Sequence, residues 1–295
     1  MVSNNKDGSA CHSSLMVPDP LPPPLCGHSA PLKRRGYRLV CTVCGSFWDR
    51  DFAQADFCYS EEYPAARRHF NAGIGALKVA TLRRWLQVLA VDVSQLCVCE
   101  VGFGGGFCLA ELSKISRLAF GIEAVSANIE HAVSLGATPE RVFNAAQLPD
   151  KLSHTVDLWL FQDAFEHLPS PDKFMQWIKN SSAPEAQLLI VAPQAQSFSD
   201  RLLGRLWPHR LPDHRFHWSL PGLVEFCGRY DFQLKQSFSP VKKLSLVIVA
   251  AHILHKFGIK EGRRILEWVP ALPLYFNLGE LGLLLCLSPQ GRHEA

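Results

Sequence analysis

The run Glu100-Val-Gly-Phe-Gly-Gly-Gly106 is the first place in the chain where residue types and spacing imply chemistry. Glycines spaced in this way let a backbone loop approach a ligand where a Cβ would obstruct it. Gly102, Phe103, Gly104 and Gly106 are therefore candidate contacts for a bound cofactor. A dinucleotide fingerprint would require glycine at position 107, where Phe107 stands. Glu123 closes the next apolar run, where an acid accepts the ribose hydroxyls of an adenosine ligand. Glu100 adds a second negative charge beside the loop. That charge repels a phosphate and suits a cationic sulfonium or ammonium group.

A second constellation is Cys26-Gly-His28 followed by Cys41-Thr-Val-Cys44. Cys26, His28, Cys41 and Cys44 supply four ligands of the kind that hold structural zinc in a tetrahedron. Gly45 suits the tight turn of a zinc knuckle, and Cys11 or His12 is an alternative to His28. A ribbon this small depends on its metal for folding. Histidines form a third group. His167 follows an apolar strand, and His214 and His217 lie with Trp207 in an aromatic-rich segment. Histidine is the usual proton acceptor near neutral pH. The alternatives are that Glu166 and His167 only fix their loop, and that the later histidines only pack against Trp207 and Trp218.

These residues need a scaffold. Apolar strands at Leu96–Val101, Leu118–Glu123, Arg141–Asn144, Val156–Phe161 and Ala186–Ala192 alternate with helical segments. That rhythm implies βαβ units and a largely parallel sheet. Residues 193–218 break it as an irregular stretch, followed by a helix at 222–229 and strands at 232–238 and 283–287. The expected organisation is a disordered tail at 1–24, a zinc-ribbon-like module at 25–50, a helical connector at 51–92 and a catalytic domain at 93–295 carrying an insert at 240–270.

Composition sets limits. Apolar residues make up 47% of the 295 and charged ones 19%, which suits a globular protein with a sizeable core. The net charge of +3 is small for a protein built to grip phosphate backbones. The polar, proline-rich start lacks a secretory h-region, and no apolar run is long enough to span a bilayer; the expected location is cytoplasmic.

The chain resembles class I S-adenosylmethionine-dependent methyltransferases of the type 11/23 group. The resemblance is carried by Val98-Cys-Glu-Val-Gly-Phe-Gly-Gly-Gly-Phe107, Ala119-Phe-Gly-Ile-Glu123, Phe143-Asn-Ala-Ala-Gln-Leu-Pro149, the strand ending in Glu166-His-Leu-Pro169, and His214-Arg-Phe-His-Trp-Ser219. It implies a Rossmann-like α/β fold with a mostly parallel seven-stranded sheet and an antiparallel last strand. It implies S-adenosyl-L-methionine as cofactor, with Asn144, Ala145 and Gln162 among its contacts. Asn144 departs from the family's usual aspartate, yet its side-chain oxygen still accepts a hydrogen bond from an adenine amino group. It places His167 at the methyl group, with His214, His217 and Trp207 toward the acceptor. Related methyltransferases often begin with a zinc ribbon, although theirs usually opens with CxxC rather than CxH.

The leading function is methyl transfer to a small-molecule acceptor: a sugar, a quinone-like ring or a lipid precursor. An RNA methyltransferase using the ribbon to hold substrate is an alternative. Against it stand the modest charge and the absence of an Asn-Pro-Pro-Tyr-type motif where Gln162-Asp-Ala-Phe165 stands. A regulatory protein that holds the cofactor without turnover is another. The apolar, basic-flecked stretch 244–268 suggests either peripheral membrane contact or a helical lid.

Overall fold

The computed structural model describes residues 25–29, 31–52, 72–214, 216–245 and 273–288. The expected tail at 1–24, with Cys11 and His12, lies outside the described residues. So do 53–71 of the connector and 246–270 of the apolar insert.

Helix α1 (Ala72–Val88) precedes the first strand of the main sheet, β4 (Cys97–Val101). Helix α2 (Phe107–Ile115), β5 (Leu118–Glu123), α3 (Ser126–Ser134), β6 (Val142–Asn144), β7 (Val156–Gln162), α4 (Pro171–Ser181) and β8 (Ser182–Pro193) continue the alternation. After α5 (Phe198–Leu203) and β9 (Phe216–His217) come α6 (Leu220–Gly228), β10 (Phe232–Phe238) and β13 (Glu280–Leu287), with β11 (Lys242–Ser245) and β12 (Pro273–Phe276) between the last two. The seven-stranded sheet has the order β10-β13-β8-β7-β4-β5-β6. Strand β13 runs antiparallel to both neighbours, and the pairings from β8 to β6 are all parallel. This is the Rossmann-like arrangement expected for the methyltransferase fold.

The central strands are buried on both faces, which is why they read as continuous apolar runs. Alternate residues serve opposite sides. Cys97, Cys99, Val101, Trp159 and Phe161 join one core with Met175 and Ile178 of α4 and Leu223 and Phe226 of α6. Val98, Leu158, Leu160 and Leu284 join the other with Leu82 and Leu86 of α1 and Leu109 and Leu112 of α2. Serine side chains cap two of the helices. Ser197 accepts the Asp200 amide at the head of α5, and Ser219 accepts the Gly222 amide at the head of α6.

Two findings depart from the sequence expectation. Residues 193–218 contain α5, a 3-10 turn at Gly204–Leu206 and β9 rather than being wholly irregular. The Cys/His region forms strands β1 (Leu32–Arg35), β2 (Arg38–Cys41) and β3 (Phe47–Asp49), and β9 completes their sheet. Phe47 pairs with His217 and Trp48 with Phe216. Ion pairs reinforce the join: Arg38 meets Asp200 at 2.6 Å and Arg210 meets Asp49 at 2.8 Å. Both aspartates are fully buried, so each needs its arginine.

No helix of the described residues is long and apolar enough to cross a membrane.

Gly106 turns the chain into α2 at φ 76°, and a Cβ there would stand 2.7 Å from the Ala132 backbone. Gly106→Ala is expected to lower stability by about 2–3 kcal/mol, read as a reduced denaturation midpoint in urea.

Candidate functional site

The site lies at the carboxyl edge of the parallel strands, where the loop after β4 meets the end of β5. Gly102, Gly104 and Gly106 all have positive φ, at 69°, 55° and 76°. At Gly102 a Cβ would also come within 2.5 Å of Ala164 Cβ. The glycines are thus required by backbone direction and by close packing together. The Gly104 amide donates to Glu123 Oε2 at 2.8 Å, which binds the loop to the second strand. Glu123 Oε1 accepts the Ala124 and Val125 amides at the entry to α3, at 2.9 and 3.2 Å. Burial raises the Glu123 carboxyl above its ordinary value, and these amide donors work against that rise.

Glu100, Gly102, Phe103, Gly105, Phe107 and Gln162 line a cleft that α1 closes with Ile74, Gly75 and Lys78. Gly75 permits the closure, because a Cβ there would lie 2.3 Å from the Phe107 ring. Glu100 is 3% exposed. Its Oε1 accepts Gln162 Nε2 at 3.1 Å, while Oε2 has no hydrogen-bond partner among the described residues. Burial pushes its carboxyl up to about 8, with the Lys78 charge opposing and the Glu123 charge adding. A buried carboxylate with one oxygen unsatisfied is a receiving group for a cationic ligand. Asn144 pairs with Glu123 across β5 and β6, and its Oδ1 accepts the Ala146 amide at 2.9 Å. The Ala145 amide donates to the Glu123 carbonyl at 2.9 Å, so this turn sits beside the acid. These features fit a cofactor with a ribose, an adenine edge and a cationic tail.

Beyond Gln162 the chain enters the left-handed region at Asp163 (φ 53°) and then a 3-10 turn, Phe165–His167. His167 Nδ1 faces Asp213 Oδ2 at 3.5 Å, and its ring meets that of His214 edge-on at 4.5 Å. Burial lowers the pKa of both imidazoles, and for His167 the Asp213 charge partly offsets this. Lys242 spans Asp163 at 2.7 Å and Glu280 at 3.0 Å, and His209 Nε2 meets the same Glu280 at 3.0 Å. Burial alone would raise Glu280, but Lys242 and His209 hold its carboxyl down at about 2. His217 is stacked on Phe47 at 4.6 Å and pushed down to about 3 by burial. Trp207 is fully buried, packs on His209 and His217, and donates to the Leu278 carbonyl at 3.1 Å. The histidine segment therefore brings His214 to His167, while Trp207 and His217 form the packed layer behind. Asp213, Lys242 and Glu280 were not singled out from sequence. Lys242 lies at the start of the apolar insert, a local signal that could have found one of them.

Cys26, His28, Cys41 and Cys44 offer ligand atoms that all lie within 4.8 Å of one another. The cysteines are buried and free of disulfides, and His28 Nδ1 has no hydrogen-bond partner among the described residues. The Cys26 thiol donates to Cys44, and Ser46 adds further hydrogen bonds, so the Cys44 thiol drops to about 4. Such a donor set fits a tetrahedral zinc ion. The knuckle rests directly on the catalytic domain. Ser46 Oγ accepts the Ser219 amide at 2.9 Å, and Gln196 Nε2 donates to the Gly45 carbonyl at 2.9 Å. A Cβ at Gly222 would stand 2.8 Å from Cys44 Sγ.

Known proteins agree with this architecture. Residues 74–237, more than half of the chain, match a family described as "Methyltransferase domain". The chain belongs to that methyltransferase family. Among solved structures it is similar to the methyltransferase in a complex between the Haloferax volcanii Trm112 methyltransferase activator and a putative methyltransferase, at 13% identity and a TM-score of 0.52 over 76% of this chain and 98% of that one. It is similar to a putative methyltransferase from Bacillus halodurans at 16% identity and 0.51, over 70% and 98%. These likenesses show a shared class I methyltransferase fold. No curated protein sequence matches the chain.

Because Glu100 is raised, the folded protein holds a proton that the unfolded chain releases above its ordinary carboxyl range. The stability tied to that proton is present at low pH and is lost as pH rises toward 8. Glu100→Gln is expected to raise the melting temperature of the ligand-free protein more at pH 8 than at pH 5, and to weaken S-adenosylmethionine binding. Calorimetry at both pH values checks the two effects.

Proposed function

We propose that this protein transfers the methyl group of S-adenosylmethionine to a small-molecule acceptor. The observation that carries the reading is the buried, half-satisfied Glu100 carboxylate in a glycine-lined cleft that the Gly104 amide ties to Glu123. When bound, S-adenosylmethionine supplies a methyl group on a sulfonium, a carbon already activated for in-line displacement.

In this reading Glu123 accepts the ribose hydroxyls, and Asn144 and Ala145 meet the adenine edge. Gly102, Phe103, Gly104 and Gly106 let the backbone pass close to the ligand. Glu100, steadied by Gln162, receives the ammonium end, where one carboxylate oxygen is still open to a donor. The remaining task is to align an acceptor oxygen with the methyl carbon, the proximity contribution to rate. His167 is the proton acceptor for that oxygen. Burial keeps its imidazole neutral, and Asp213 orients the ring. His214 lines the acceptor side, while Trp207 and His217 hold the wall behind it. Cys26, His28, Cys41 and Cys44 bind a structural zinc that fixes the β1–β3 ribbon against β9.

Radiolabelled cofactor incubated with cell extract, then fractionated into small-molecule, lipid and RNA pools, tests the reading. Label is expected in a small-molecule or lipid fraction, and label confined to RNA defeats it. His167→Ala is expected to lower turnover by roughly 100-fold while calorimetric affinity for S-adenosylmethionine holds. Cys41→Ser is expected to strip zinc, measured by elemental analysis, and to lower the melting temperature through the loss of metal-linked folding energy.

A further inference from the structure

The turn after β7 delivers Glu166 and His167 in succession, and the segment leading into β9 brings His214 beside them. One ligand atom from each of the three lies within 4.8 Å of the others. Glu166 is only 8% exposed, and neither oxygen of its carboxylate has a hydrogen-bond partner among the described residues. His214 Nε2 stands 3.9 Å from Glu166 Oε1, too far for a hydrogen bond. That spacing is within reach of two donors each about 2.1 Å from a shared ion.

The surroundings supply what a bound cation needs. His214 Nδ1 is held by the His209 carbonyl at 2.7 Å, which leaves the Nε2 lone pair toward Glu166. His167 Nδ1 faces Asp213 at 3.5 Å. An oxygen on one ring nitrogen is how metal-bound imidazoles are usually fixed. Charge points the same way. Asp163 and Asp213 add their negative fields to that of Glu166. The lysine acting on this carboxylate is Lys242, and its ammonium is committed to Asp163 and Glu280. A buried carboxyl whose two oxygens find no hydrogen-bond donor among the described residues is unfavourable unless a ligand satisfies it.

We propose that Glu166, His167 and His214 form a binding site for a divalent first-row cation, separate from the Cys/His knuckle. Two imidazoles and one carboxylate suit a divalent ion that takes nitrogen and oxygen ligands, such as Mn2+ or Co2+, and they leave coordination positions open for an oxygen ligand. The site deepens the methyl-transfer reading and rests on it only for its use. An acceptor hydroxyl placed on the ion would lose its proton to bulk water near neutral pH, and its oxygen would then take the methyl group as the sulfonium leaves as a thioether. In the metal-loaded protein His167 would hold the ion in place of acting as proton acceptor itself.

Titration of the zinc-loaded, full-length protein with Mn2+ alone, followed by electron paramagnetic resonance, tests the site. Mn2+ favours oxygen and nitrogen and discriminates against the thiolate cluster. Wild-type protein is expected to bind one Mn2+ per chain. Glu166→Gln and His214→Gln are each expected to weaken that binding by roughly 10- to 100-fold while retaining wild-type calorimetric affinity for S-adenosylmethionine, which controls for folding. Absence of Mn2+ binding by wild-type protein overturns the proposal. So does equal Mn2+ binding by folded variants. A chain that binds Mn2+ as expected yet fails to bind S-adenosylmethionine would separate the fate of this site from that of the methyl-transfer reading.

Discussion

Burial of carboxylates along one edge of a parallel sheet is the constraint around which the molecule is organised. Glu100 on β4, Glu123 on β5, Glu166 past β7 and Glu280 at the start of β13 are all buried. Strand β13 is antiparallel, so its first residue pairs with the last residue of β8 and reaches the same edge. Each acid is accommodated differently. Glu123 takes backbone amides, including those at the positive end of α3. Glu280 takes a lysine and a histidine. Glu100 has half a partner set, and neither side-chain oxygen of Glu166 has a hydrogen-bond partner among the described residues. The four acids thus differ in how far the described residues satisfy them.

The apolar layers exist to make that edge possible. Strands buried on both faces hold the backbone rigid up to the last residue. The turns that follow can then adopt left-handed conformations at Gly102, Gly104, Gly106 and Asp163. Such conformations persist only where the surrounding structure over-determines them. Here Ala164, Ala132 and the β5 end supply that pressure.

Much of this was legible in the residues themselves. The glycine spacing, the strand-end Glu123 and the alternation of strands and helices are local signals, and the structure reproduces them within a few residues. The gathering of Cys26, His28, Cys41 and Cys44 in one place was legible for the same reason, since its pairs are close in sequence. What was illegible depends on contacts between distant segments. Strand β9 is two residues long, and nothing in Phe216-His217 announces a partner at Phe47 and Trp48. The polar start of β8, Ser182 to Glu185, carries no apolar run, so its early residues gave no strand signal. Trp207 and His217 carry no sequence signal that separates lining a pocket from packing behind it, and their burial depends on contacts with Phe47 and Leu278 that lie elsewhere in the chain. The Lys242–Glu280 pair joins the start of the insert to the strand that follows it, a closure that spacing alone does not encode.

The sheet shared by β3 and β9 also bears on how this chain could be recombined. A ribbon whose fourth strand belongs to another part of the polypeptide is not a portable cassette. Grafted in front of a different catalytic domain, residues 25–50 would present the β3 edge unpaired, exposing backbone groups that invite association with other chains. Removed from this protein, they would leave Phe216, His217 and the Ser219 cap without their covering. Ribbon and catalytic domain must therefore diverge together, with changes at Ser46 or Phe47 matched across the join.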